Sequence, residues 1–258
     1  MIKGVQDPCF AGSHERCTWT GQVLTADDID ALRDSLRERA LDLARAAAVT
    51  DLLRDLAATG MAEAFVTSFL AEAQDTSLKH WQVGEALAEA LLEDHHAVEF
   101  PWNTRRDERT TKASLPGADL VGISGADDTA MLVFGEVKSS SDADSPPQVL
   151  YGKDGMVQQL ERLISDRKVQ LKLIRWLEAR VSADASPAFE AALGRFVNSQ
   201  GSAIRLVGCL MRDTEPKESD VVARGRNLGD LVHDPGTADL FVWYLPYSMA
   251  DWPSLVAA

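Results

Sequence analysis

Two periods of apolar residues divide the chain. From Leu24 to about Asp94 the pattern is helical. LTADDIDALRDSLRERALDLARAAAVTDLLRDL places Ile and Leu at spacings of three and four, with Thr25 as a plausible N-cap and acids in the first turn. MAEAFVTSFLAEAQ and SLKHWQVGEALAEALLED continue the pattern, so roughly the first 95 residues read as helical, preceded by an untethered N-terminal segment. The period then shortens. AVEFPW, ADLVGIS and TAMLVFGEVK are short runs rich in β-branched or aromatic residues, bounded by turn-formers. SGADDT joins the last two as a hairpin would, and SDADSPPQ is a polar, proline-interrupted loop. MVQQLERLISDRKVQLKLIRWLEARV and FEAALGRFV return to helix, and AIRLVGCLMR and ADLFVWYLP are strands on either side of ESDVVARGRNLGDLVHD, a helix or loop. Strands between helical segments predict an α/β or α+β fold with a central mixed sheet flanked by helices and an N-terminal helical region. The expected division is a helical region over 1–78 and a mixed domain over 79–258.

The end of one strand needs an explanation. In AMLVFGEVKSSS the apolar run stops at Glu136, with Lys138 one residue beyond Val137. Side chains two apart in a strand share a face, so the carboxylate and the ammonium lie side by side. Forty acids and eight lysines in 258 residues make an acid-x-Lys triplet expected about once by chance. The chain has three, and context separates them. Asp166 and Lys168 fall in a helical pattern that points them apart, and Glu215 and Lys217 flank Pro216 in a polar loop. Only Glu136-Val137-Lys138 ends an apolar strand that follows a second strand carrying an acid, Asp119. A hairpin turning near 124–129 sets Asp119 almost opposite Glu136. Carboxylates that converge repel unless a cation or a proton lies between them, and hard oxygen donors in an open site suit Mg²⁺ or Mn²⁺. The Val137 carbonyl can add a ligand, and Lys138 can stabilise an attacking hydroxide or a developing phosphorane charge. The bland alternative is an exposed ion pair worth tenths of a kcal/mol.

Gly117-x-Asp119, a hairpin, Glu136-Val137-Lys138 and a following helix with Gln158 and Gln159 together resemble the core of the PD-(D/E)XK phosphodiesterase superfamily. The likeness covers residues 80–165 or so, and the Pro-Asp pair of the family's name is replaced by Ala118-Asp119. It implies a restriction-endonuclease-like sheet and metal-dependent hydrolysis of DNA phosphodiesters. Asp119 and Glu136 would hold Mg²⁺ or Mn²⁺, and Lys138 would assist the water. A metal-binding glutamate on the preceding helix would be Glu85, with Glu89 one turn on, and a glutamine facing the site would be Gln158 or Gln159. The chain is also similar to the nuclease component of the Hachiman antiviral defence systems of bacteria, which implies a helicase partner. A nuclease-fold subunit without activity, acting as a binding or scaffolding component, is the alternative.

Composition narrows this picture. Net charge is −14, which speaks against a surface that coats nucleic acid and for delivery of DNA by a partner. The densest cationic run, Arg105, Arg106, Arg109 and Lys112, is a candidate phosphate contact or a solvated loop with its own acids. Cys9, Cys17 and Cys209 are too few for a disulfide framework, and Cys9, His14 and Cys17 match no zinc spacing. No apolar stretch has the length of a membrane helix and the N-terminus lacks a secretion signal's apolar region, so a cytoplasmic location is expected. Neither a Gly-x-Ser-x-Gly elbow nor a phosphate-binding loop is present. His95 and His96 read as a helix C-terminal pair favoured by the dipole.

Overall fold

The computed structural model describes residues 7–44, 78–101 and 117–257. The helix expected over 61–74 and the basic run Arg105, Arg106, Arg109 and Lys112 lie outside those residues. In chain order the elements are β1 (Phe10–His14), β2 (Cys17–Val23), α1 (Ala26–Ala44), α2 (His80–His96), β3 (Val98–Glu99), β4 (Leu120–Ser124) and β5 (Met131–Ser140). There follow α3 (Met156–Ser165), α4 (Arg167–Glu178), α5 (Ser186–Asn198), β6 (Ile204–Arg212), α6 (Val222–Leu231), β7 (Thr237–Tyr244) and α7 (Trp252–Ala257). The strands form one sheet in the order β1-β2-β7-β6-β5-β4-β3. Its centre, β5-β6-β7-β2, is parallel, and antiparallel pairs close both edges. This is the mixed sheet flanked by helices that the sequence predicts, and it is consistent with a restriction-endonuclease-like arrangement.

Both faces of the sheet are covered, which explains why β5 and β6 read as near-continuous apolar runs rather than alternating ones. Leu132 and Phe134 of β5 and Leu206 and Leu210 of β6 pack with Leu160 and Leu163 of α3. The alternate residues Val133, Val137, Val207 and Cys209 pack on the other face with Leu32 and Leu36 of α1, Leu87 and Leu91 of α2 and Trp252 of α7. Each fully buried Leu or Phe here contributes about 1.5–3 kcal/mol of transfer free energy.

The N-terminus departs from expectation. Residues 10–23 are a β-hairpin joined to the sheet through β2 and β7, not a loose leader to a helical region. The first 95 residues are therefore not all helical. Glycines seat the aromatic rings across this hairpin: Gly12 pairs with Trp19 and Gly21 with Phe10. A Cβ on Gly12 would lie 2.6 Å from the Trp19 ring, and one on Gly21 would lie 2.2 Å from the Phe10 ring. The expected cap on α1 is present and reciprocal. The Asp28 amide donates to Thr25 Oγ1 at 3.2 Å and the Thr25 amide donates to Asp28 Oδ2 at 2.9 Å. The single long helix expected over 156–181 breaks at Asp166, whose carboxylate accepts the Lys168 and Val169 amides at 3.0 and 3.2 Å and starts α4.

His95 and His96 stand in the last turn of α2 as expected, but His96 differs in its charge. His96 packs its ring on Phe241, with centroids 4.1 Å apart, and burial followed by the nearby Arg205 charge pushes its pKa down to about 4. It is neutral at physiological pH. Arg205 brings a cation to this helix end, where its Nη1 donates to the His96 carbonyl at 2.8 Å.

Candidate metal centre

Strand length creates the site. β4 begins at Leu120 opposite Gly135, whereas β5 runs on to Ser140, so among the described residues the last five of β5 face a gap before β4 begins. The register places Asp119 opposite Glu136, as the hairpin arithmetic predicts. The Asp119 amide donates to the Gly135 carbonyl at 2.8 Å, and Asp119 Oδ2 accepts the Val137 amide at 3.0 Å. A side chain thus takes the position that the next β4 residue would fill. A strand residue presents its N–H and C=O to the same edge, so the Val137 carbonyl also faces the gap.

Gly117 sets the entry to this turn. Its φ is +115°, and a Cβ there would lie 2.4 Å from Val169 Cγ1 of α4. Only glycine fits without strain, two residues ahead of Asp119. On the other side, Gly84 lets α2 approach β5 closely, since a Cβ would lie 2.5 Å from Ser139 Oγ. That approach brings Glu85 to the gap.

The resulting cavity, about 320 Å³, is lined by Glu85, Asp119, Glu136, Val137, Lys138 and Gln159, with Gly117, Ala118 and Ser139 between them and His80 and Trp81 at its mouth. Glu136 is 3% exposed, Glu85 7% and Asp119 8%. Lys138 Nζ donates to Glu136 Oε1 at 2.6 Å, which favours the carboxylate form. Burial first, and then the Asp119 charge, oppose this more strongly and push the Glu136 pKa up to about 9. When no cation is present the environment thus favours a proton on Glu136.

Of the two glutamine candidates, Gln159 lines the cavity and Gln158 is exposed. Gln159 Oε1 is buried without a hydrogen-bond partner, a neutral oxygen beside the carboxylates. Glu89 does not line the cavity; it lies 3.7 Å from Arg39 of α1 and is 1% exposed, so its role is in the contact between α1 and α2. Among the described residues no group of three or more His, Cys, Asp and Glu side chains is gathered into a ligand set. The donor chemistry is instead two carboxylates supplemented by neutral oxygens, with Glu85 on the cavity wall. Hard oxygen donors with room for water fit Mg²⁺ or Mn²⁺ better than Zn²⁺. Cys9, His14 and Cys17 make no such centre: Cys17 is fully buried and His14 Nε2 bonds Asp230 Oδ1 at 2.7 Å.

Burial and then Asp239 push the Cys17 thiol up to about 12, and burial also raises that of Cys209, so neither supplies a thiolate. A wider groove of about 720 Å³ at the far end of the sheet includes Thr18, Arg205 and Asp239, which bond one another. Arg205 Nε donates to Asp239 Oδ2 at 2.8 Å and Thr18 Oγ1 donates to Asp239 Oδ1 at 2.6 Å.

Sequence reasoning passed over His80, Trp81 and Ser139. Trp81 was accessible to it, because a residue four before Glu85 on one helix shares its face. No family model matches the chain, and no curated protein does. Among the described residues no helix is long and apolar enough to cross a membrane.

Proposed function

We propose that the chain is a metal-dependent nuclease that hydrolyses DNA phosphodiesters at the gap between β4 and β5. The observation that carries the reading is the buried Asp119–Glu136 pair, whose like charges favour a cation or a proton between them, beside an ammonium 2.6 Å from Glu136 Oε1. Asp119 and Glu136 would hold Mg²⁺ or Mn²⁺, with the Val137 carbonyl and Gln159 Oε1 as further oxygens and Glu85 acting on the cavity wall. The ion supplies Lewis acidity and a more acidic bound water. Lys138 lies where its ammonium can stabilise the attacking oxygen and the charge that builds on phosphorus. One water adds across the P–O bond: its oxygen joins phosphorus, its proton passes to solvent, and the leaving sugar oxygen takes a proton from solvent.

The partner is part of the proposal. A chain of net charge −14 repels free DNA, so a helicase-like subunit with its own cationic channel would bring the strand to the site, as in an antiviral defence complex. Purified protein with Mg²⁺ or Mn²⁺ should cleave DNA at low ionic strength. Asp119→Asn, Glu136→Gln and Lys138→Met should each reduce the rate by at least about a hundredfold. Parent protein that folds and binds Mn²⁺ yet leaves DNA intact with and without its captured partner would favour a scaffolding subunit.

A further inference from the structure

One wall of the cavity carries a partly exposed aromatic ring. Trp19, Trp243 and Trp252 are between 0 and 3% exposed and Trp176 is half-buried, but Trp81 is 38% exposed and lines the cavity. Part of the Trp81 ring on the first turn of α2 is open to solvent, and its position beside a polar cavity points to a ligand with a π-face. His80 stands next to it and also lines the cavity. Because Trp81 precedes Glu85 by one helical turn, the ring and the carboxylate project from the same face of α2. The two ends of the site thus differ in chemistry: carboxylates, an ammonium and a partnerless amide oxygen inside, and an indole outside.

A nucleotide has the same two ends. Its phosphate suits the cation site and its base suits the indole, but in a duplex the base is stacked inside the helix and cannot turn toward a ring at the cavity rim. The cavity volume of about 320 Å³ is at the lower end of the range for small-ligand sites, enough for one nucleotide unit rather than a helical segment.

We infer that Trp81 stacks on an unpaired base next to the scissile phosphate, so that the site acts on single-stranded DNA rather than on intact duplex. The inference rests on the nuclease reading of the same cavity and adds its substrate class. It also agrees with delivery by a helicase-like partner, whose product is a separated strand.

Stacking can be measured apart from cleavage. The Lys138→Met protein, which retains Trp81 and both carboxylates, is titrated in Ca²⁺ at low ionic strength with a fluorescein-labelled thymidine oligonucleotide, with the same strand paired to its complement, and with a version lacking bases at its centre. The single strand should bind at least about tenfold tighter than the duplex or the abasic strand, on the scale of one base-aromatic stack. Adding Trp81→Ala should weaken the single-strand affinity about tenfold or more and remove the difference from the abasic strand, while Trp81→Phe restores most of it. Thermal melting of both variants separates stacking from a folding defect: the Phe variant melts as the parent does, and its recovered affinity carries the test if the Ala variant is unstable. Equal binding of single strand and duplex, or a Trp81→Phe,Ala series with no effect on single-strand affinity, overturns the inference. Absence of cleavage by the parent, with discrimination between strands intact, overturns the nuclease reading instead.

Discussion

Exchange of a proton for a cation at Glu136 is the step most open to measurement. With its pKa pushed up to about 9 by burial and by Asp119, Glu136 favours its protonated form at pH 7 when no metal is bound. An incoming ion must displace that proton. Linkage then requires Mn²⁺ affinity to rise about tenfold for each pH unit from mildly acidic pH up to about 9, with about one proton released per ion at pH 7. Calorimetric titration of Mn²⁺ at pH 6, 7 and 8, in two buffers of different ionisation enthalpy, reads both quantities. Glu136→Gln removes the titrating group and should abolish the release along with most of the affinity. Asp119→Asn removes the like charge, so the affinity that remains should reach its plateau at a lower pH. Stability follows with a definite sign, because the folded pKa lies above the ordinary value of 4.5. Metal-free protein should be most stable below about pH 4.5 as far as this group is concerned, and should lose that stability as pH rises toward about 9, a loss that Mn²⁺ opposes. Affinity that stays flat between pH 6 and 8, with no proton released, refutes this reasoning.

Other outcomes follow from particular contacts. Gln159→Ala should weaken Mn²⁺ binding or slow cleavage severalfold while Gln158→Ala does neither, as titration and rate measurements on the two variants would register. Arg212 and Asp220 are both fully buried and lie 3.5 Å apart, and Arg212 Nη2 also donates to the Asp142 and Asp144 carbonyls at 2.8 and 3.2 Å. Arg212→Ala should cost about 3–5 kcal/mol in denaturant unfolding, because it strands a buried carboxylate and frees the loop after β5. Gly117→Ala should cost about 1–3 kcal/mol by the same measurement and weaken Mn²⁺ binding through displacement of Asp119, since its φ of +115° and the contact with Val169 leave no room for a methyl group. Thr25→Ala should cost about 1 kcal/mol through loss of the cap on α1.

The elements legible in the sequence are those in which period and punctuation agree. In β5 the apolar run, the SGADDT connection and the acid in ADLVGI fix the strand, the hairpin and the register together, and the Asp119–Glu136 pairing follows from counting. The hairpin over 10–23 was less visible, because Gly12 and Gly21 erase the alternation that would mark its strands. Their role is legible only with the partner strand present, where they make room for Trp19 and Phe10. Asp166 was readable as a helix start, but the apolar spacing continues through it and hides the break between α3 and α4. At the site, the ambiguity between Gln158 and Gln159 is one of helix phase, which depends on how α3 docks and not on its sequence. Trp81 needed a similar fact: period places it on the face of Glu85, but only the gap beyond β4 makes that face a cavity mouth.

The central claim, that Asp119 and Glu136 share one divalent cation, has a direct test. Crystals of the protein soaked in Mn²⁺ and measured at the manganese absorption edge should show one strong anomalous peak in the gap beyond β4, with oxygens of Asp119 and Glu136 both within about 2.5 Å. A cavity without anomalous density at saturating Mn²⁺, with Lys138 still on Glu136, would contradict it.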